Sequence, residues 1–138
     1  MKLIPNIGLG FVRFGMNPSE LIAVFPEKQK YESWMGGNLN DSLLFHGIIF
    51  SFDKCNSSRP LADSHLEEIR ISGRDDVILW EQQITNWTKN SLENFLNENK
   101  ISYEIMNNRA IKLKSLSMTF SFNEQNQIDY IQMWTTTK

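Results

Sequence analysis

Cysteine is almost missing from this chain. Cys55 stands alone among 138 residues, so no intramolecular disulfide and no cysteine-rich zinc site can be built. A lone thiol suits a reducing compartment, and the expected location is cytoplasmic. Histidine is scarce too, at His46 and His65 only. No apolar run approaches the ~20 residues of a membrane span. The opening Met1-Lys2-Leu3-Ile4-Pro5-Asn6-Ile7-Gly8 has no long apolar stretch and no small-residue cleavage site, so no secretory leader is expected. An excess of charge of one sign is also absent. Lys and Arg number 14 against 16 Asp and Glu, for a net charge of -2. Neutralising duplex phosphates needs a basic surface, so this balance argues against a dedicated DNA-binding protein. Neither a membrane nor nucleic acid is the expected partner. Gly8-Leu9-Gly10 and Gly36-Gly37 lack the spacing and following lysine of phosphate loops and read as turns.

What is present suits one globular domain over residues 1–138. Hydrophobic residues make up 41% and charged residues 22%, an ordinary soluble balance. A chain of this size buries roughly 68–70% of its unfolded surface and needs no staples.

The chain repeats itself. Phe50-Ser51-Phe52-Asp53 is answered by Phe120-Ser121-Phe122-Asn123. An amphipathic helix pattern precedes each segment. Paired apolar residues follow, Ile69 and Ile71 in one case, Ile131 and Met133 in the other. Such self-similarity governs the reading of the whole fold. Two half-modules are expected, about 1–73 and 74–138.

Helix signals are local and clear. Asn17 is a cap, Pro18 fits the first helical position, and Glu20 completes a capping box. Leu21, Val24 and Phe25 form the expected core face, and Pro26 stops the helix. Leu92, Phe95 and Leu96 repeat that spacing in a second helix, expected from Lys89 to Asn99.

Strand patterns cover Tyr31–Met35, Leu43–Asp53 and Leu66–Ser72, then Ser102–Met106, Ile111–Asn123 and Ile128–Thr135. Two more, Gly10–Phe14 and Val77–Trp80, precede the helices. Alternation puts Ile48, Phe50 and Phe52, and Met118, Phe120 and Phe122, on buried faces. Apolar parity changes near Lys114-Ser115, which predicts a bulge or tight turn there, with Gly47 at the equivalent bend. The expected fold is α+β: a duplicated β-α-β-β-β half-module, with an antiparallel sheet and two helices packed on one face.

Candidate chemistry is thin. A ribonuclease-like acid–base pair would use His46 and His65, but His46 reads as a core or half-buried strand residue. Cys55 and His65 share one polar loop without defined geometry. Glu67-Glu68 and Asp75-Asp76 are adjacent doublets. Neighbours on a strand point to opposite faces, so neither doublet forms a facing glycosidase pair. A patch complementary to a basic partner is the better reading. Arg109, Lys112 and Lys114 form a basic stripe near aromatic strands, which suits single-stranded nucleic acid or simply a wet sheet face. Trp80 and Trp134 are expected to be partly exposed. No metal, cofactor or catalytic residue is expected.

The stretch Ile4-Pro5-Asn6-Ile7-Gly8-Leu9-Gly10-Phe11-Val12-Arg13-Phe14-Gly15-Met16 resembles a family of small bacterial proteins. Their pattern is a strand ending in Phe-Gly-Met followed by a helix bearing an acidic residue. The tandem half-module also resembles inhibitors of the β-lactamase-inhibitor type. Relatives of this kind serve as immunity proteins in polymorphic-toxin and contact-dependent growth inhibition systems. The resemblance implies a non-enzymatic inhibitor that occludes a cognate toxin domain, a basic nuclease. The expected contact patch is Asp63, Glu67, Glu68, Asp75, Asp76, Trp80 and Glu81. The alternative is a single-stranded nucleic-acid-binding module that uses the open sheet face.

Overall fold

The computed structural model describes residues 1–26, 42–54, 62–107 and 109–135. At the start lie three two-residue strands, β1 (Leu3–Ile4), β2 (Gly8–Leu9) and β3 (Val12–Arg13), paired antiparallel in that order. Gly10, at φ 60°, reverses the chain between β2 and β3, so the expected Gly10–Phe14 strand is shortened to β3, one arm of a hairpin with β2. Helix α1 (Pro18–Val24) follows. Asn17 Oδ1 accepts the Glu20 amide at 2.8 Å, and Glu20 Oε1 accepts the Asn17 amide at 3.0 Å, closing the capping box. Leu21 and Phe25 are buried, but Val24 is 36% exposed. Residues four apart stack along one helix line, and Val24 falls beside that line.

Next come β4 (Ser42–Phe45), β5 (Ile48–Phe52) and β6 (Leu66–Ser72). The expected strand Leu43–Asp53 is therefore a hairpin, turning at His46-Gly47. His46 is exposed at that turn, not in the core, because the chain reverses before strand alternation can bury it. Gly47 sits at φ 73°, and a Cβ there would lie 2.2 Å from the Ser72 carbonyl oxygen. Only glycine fits.

The short hairpin β7 (Ile78–Leu79) and β8 (Gln82–Gln83) replaces the expected Val77–Trp80 strand. Trp80 and Glu81 form its turn at φ 51° and 66°, the backbone of a tight two-residue hairpin. A 3₁₀ turn over Ile84–Asn86 leads to α2 (Lys89–Glu98), capped by Thr88. Then follow β9 (Glu104–Met106), β10 (Ala110–Leu113), β11 (Met118–Phe122) and β12 (Ile128–Trp134). The parity change near Lys114-Ser115 is a chain reversal too, a 3₁₀ turn over Lys114–Leu116 closed by Ser117 at φ 52°. The expected strand Tyr31–Met35 lies outside the described residues.

The principal sheet has seven antiparallel strands in the order β4-β5-β6-β12-β11-β10-β9. With two helices among the described residues, the chain is a mixed α+β protein. One buried row crosses the sheet through Phe45, Ile48, Ile71, Ile131, Phe120 and Ile111. A second runs through Leu43, Phe50, Ile69, Met133, Met118 and Leu113. All twelve are at most 1% exposed, so the sheet is dry on this face from β4 to β10, while Ile105 on the edge strand β9 is 48% exposed. Phe25 packs on Phe45 and Phe50, with ring centroids 4.4 and 5.3 Å apart. Phe95 of α2 stacks on Trp80 at 4.6 Å, and Trp80 lies over Phe120 at 6.3 Å. The register shifts between Ser51 and Phe52 in β5, and between Ser121 and Phe122 in β11.

Candidate functional site

Two surfaces collect functional groups. The first is a cleft of about 650 Å³ at one end of the β5–β6 pair. Asn6, Ile7, Arg13 and Phe14 wall it on one side, Asp53, His65 and Glu67 on the other. The polar wall is built by the strand pairing. The Asp53 amide donates to the His65 carbonyl at 3.0 Å, and Asp53 Oδ1 accepts the His65 amide at 2.7 Å. His65 Nδ1 stands 3.4 Å from Asp53 Oδ2. The His65 amide chiefly, aided by its ring and by Lys54, holds the Asp53 carboxyl below its usual range. Arg13 donates to the carbonyls of Gly10 and Val12.

At the tip of the β2–β3 hairpin, Phe11 is 78% exposed, and Ile7 on the cleft wall is 46% exposed. Sequence reasoning missed both. The signal was an aromatic directly after the turn glycine, a place with no strand partner to cover it.

The second surface is the face of the seven-stranded sheet opposite the core. A row of neighbours on it runs through Lys112, Thr119, Gln132 and Arg70. Tyr130 and Trp134 flank Gln132 on β12, because residues two apart share a face. The Arg70 guanidinium carbon lies 3.9 Å from the Tyr130 ring centroid, and Lys112 Nζ lies 5.9 Å from that of Trp134. Gln132 donates its side-chain amide to Glu68. Arg70 is exposed, while Tyr130, Gln132, Trp134 and Lys112 are half-buried. The expected stripe of Arg109, Lys112 and Lys114 is dispersed. Arg109 reaches Glu124 at 3.8 Å and Lys114 reaches Glu104 at 3.0 Å. Only Lys112 remains on the sheet face, because Lys114 belongs to the turn.

The seven residues singled out from the sequence do not form one patch. Asp63, paired with Lys54 at 3.6 Å, and Glu67 belong to the cleft end. Glu68 lies on the opposite sheet face between Ser51 and Trp134. Asp75 and Asp76 stand beyond the far end of β6, a strand roughly 20 Å long. Asp76 is held there by Arg74 and by the amino terminus, which donates to its carbonyl at 2.7 Å. Hydrogen bonds from Arg74 lower the Asp76 carboxyl below its usual range, against partial burial. Trp80 and Glu81 line a smaller cavity of about 240 Å³ with Lys2, Ile4, Pro5 and Ile78.

The histidines are also far apart. His46 turns the β4–β5 hairpin, while His65 meets Asp53 at the opposite end of β5. About 20 Å of strand separates them, too far for paired acid–base work. Cys55 lies outside the described residues. Among the described residues no three His, Cys, Asp or Glu side chains gather to hold a metal ion, and no helix is long and apolar enough to cross a membrane. No known protein family, characterised protein or solved structure matches the chain.

Proposed function

We propose that this chain is an immunity protein that binds a cognate toxin domain, a basic nuclease, and neutralises it by covering its active site. The observation that carries this reading is the exposure of two apolar side chains near the amino terminus, Ile7 on the wall of a cleft edged by Asp53 and Glu67, and Phe11 at the tip of the β2–β3 turn. A large apolar side chain held out on a rigid hairpin has the makings of an interface anchor. Flanking carboxylates steer a basic partner and set its orientation. Glu67 lines the cleft with Ile7, and Asp63 is taken as a contact at the same end. Glu68, Asp75, Asp76, Trp80 and Glu81 are secondary. Such an inhibitor works in the cytoplasm, needs no cofactor and contains no reacting group.

The same reading holds that the chain is a duplicated half-module with both helices on one sheet face. In support, Ser51 pairs with Glu68 and Phe52 with Leu66, while Ser121 pairs with Tyr130 and Phe122 with Ile128. The two register shifts thus fall after matching serines of the repeated Phe-Ser-Phe segments. The order of β4, β5 and β6 is mirrored by β10, β11 and β12 about the central β6–β12 pair.

The test is co-expression with the product of the gene adjoining this one, expressed as a candidate toxin domain. Survival and a stable complex are expected. Killing that proceeds unchanged, with no complex on size exclusion, would refute the proposal.

A further inference from the structure

We infer that the sheet face opposite the core is a platform for single-stranded nucleic acid, with Tyr130 and Trp134 stacking bases and Arg70 and Lys112 contacting phosphates. This goes beyond the inhibitor reading and rests on other residues.

Four observations converge. First, β12 presents Tyr130 and Trp134 on one face about 13 Å apart along the strand, rigidly spaced by the sheet. Second, each ring has its own cation, Arg70 at 3.9 Å and Lys112 at 5.9 Å. Third, among the described residues no carboxylate lies within ion-pair distance of either cation, and Glu104, the cross-strand neighbour of Lys112, is engaged by Lys114 instead. Fourth, Thr119 and Gln132 lie between Lys112 and Arg70 in one row, supplying polar groups along a track about 14 Å wide.

Two cations without a carboxylate call for an anion. Two aromatic rings beside them call for flat, apolar faces. A single strand offers both together, with splayed bases for the rings or the guanidinium plane and phosphates for the charges. A duplex hides its base faces inside the stack. An acidic protein surface would meet the charges but gives the spaced rings no partner. Glu68 and Glu104 also lie on this face. Glu104 ends the central row beside Lys112 and Glu68 stands beside Trp134, and Lys114 and Gln132 respectively engage them.

The test titrates the full chain into fluorescein-labelled ten-nucleotide oligouridylate and oligothymidylate, with a duplex of equal length as control. Saturable binding to a single strand at 50 mM salt is expected, tighter than to the duplex. For two phosphate contacts it should weaken about sevenfold by 200 mM salt. Tyr130→Ala and Trp134→Ala should each weaken it about fivefold or more. Arg70→Ala should lower the salt slope by about 0.7. Should either alanine variant unfold, Tyr130→Leu and Trp134→Leu keep apolar packing while removing the ring. No binding at 50 mM salt overturns the inference. So does equal affinity for the duplex, affinity unchanged by loss of both rings, or displacement by polyglutamate as effective as by unlabelled oligonucleotide. The last result would assign the face to an acidic protein instead.

Discussion

Arg74 grips Asp76 with two parallel hydrogen bonds, Nε to Oδ1 at 2.8 Å and Nη2 to Oδ2 at 2.6 Å. Its third nitrogen, Nη1, donates to the carbonyl of His46 at 2.8 Å. One buried guanidinium, 8% exposed, thereby ties the β4–β5 turn to the segment after β6. Replacing Arg74 with Met keeps much of the apolar stem but leaves the His46 carbonyl without this donor. A loss of about 1–3 kcal/mol in urea unfolding is expected. Asp76→Asn keeps one acceptor for Arg74 and should cost less, since Asp76 is half exposed.

Acid should weaken the fold through Asp53 and Asp76. Both carboxyls sit below their ordinary value of 3.8, by hydrogen bonds from the His65 amide and from Arg74 respectively. Between the unfolded and folded values the unfolded chain binds more protons. The stabilisation is therefore full above the unfolded value and is lost as pH falls through the folded one. Thermal unfolding from pH 6 down to pH 2 should show Tm falling in this window. Asp53→Asn and Asp76→Asn should each flatten the fall. A Tm profile identical in the double variant contradicts this account.

Two glycines separate steric from conformational strain. Gly47 and Gly15 both have positive φ, 73° and 91°. A Cβ on Gly47 would meet the Ser72 carbonyl oxygen at 2.2 Å, while one on Gly15 would meet nothing within 4 Å. Gly15→Ala should cost about 1–2 kcal/mol, the backbone penalty alone. Gly47→Ala should cost clearly more, because the Ser72 carbonyl is fixed by the sheet. Equal losses in the two variants would mean that the close approach relaxes freely.

Phe11→Ala tests the proposed anchor. With the side chain largely in solvent, stability should change by less than about 0.5 kcal/mol. Toxin affinity should fall by about 2 kcal/mol or more, roughly thirtyfold, if Phe11 is a hot spot. Unchanged protection at normal expression and unchanged affinity would remove Phe11 from the interface.

Much of the local structure was legible. Asn17 caps its helix because its side-chain oxygen reaches the amide three residues on, a contact contained within one turn. The strand cores were legible for the same reason, since alternation of Phe50, Phe52, Phe120 and Phe122 is a property of consecutive residues. The bends at Gly47 and Lys114-Ser115 were legible as well, but not that the chain reverses fully at each. Leu43–Asp53 carries apolar residues on both sides of Gly47, and nothing local says whether the bend there is slight or a full reversal. The candidate surfaces were least legible. Glu67 and Asp76 look like neighbours in the chain, yet a whole strand holds them apart.

Helix ends, strand parity and the repeated Phe-Ser-Phe segments were determined by the sequence alone, because each depends on interactions among residues a few positions apart. Tertiary structure decided which strands lie side by side, and with that the meeting of Arg70 with Tyr130, of Lys112 with Trp134 and of Arg74 with His46. Those contacts join residues distant in the chain, and they come into being only when burial of the apolar rows locks the strand register.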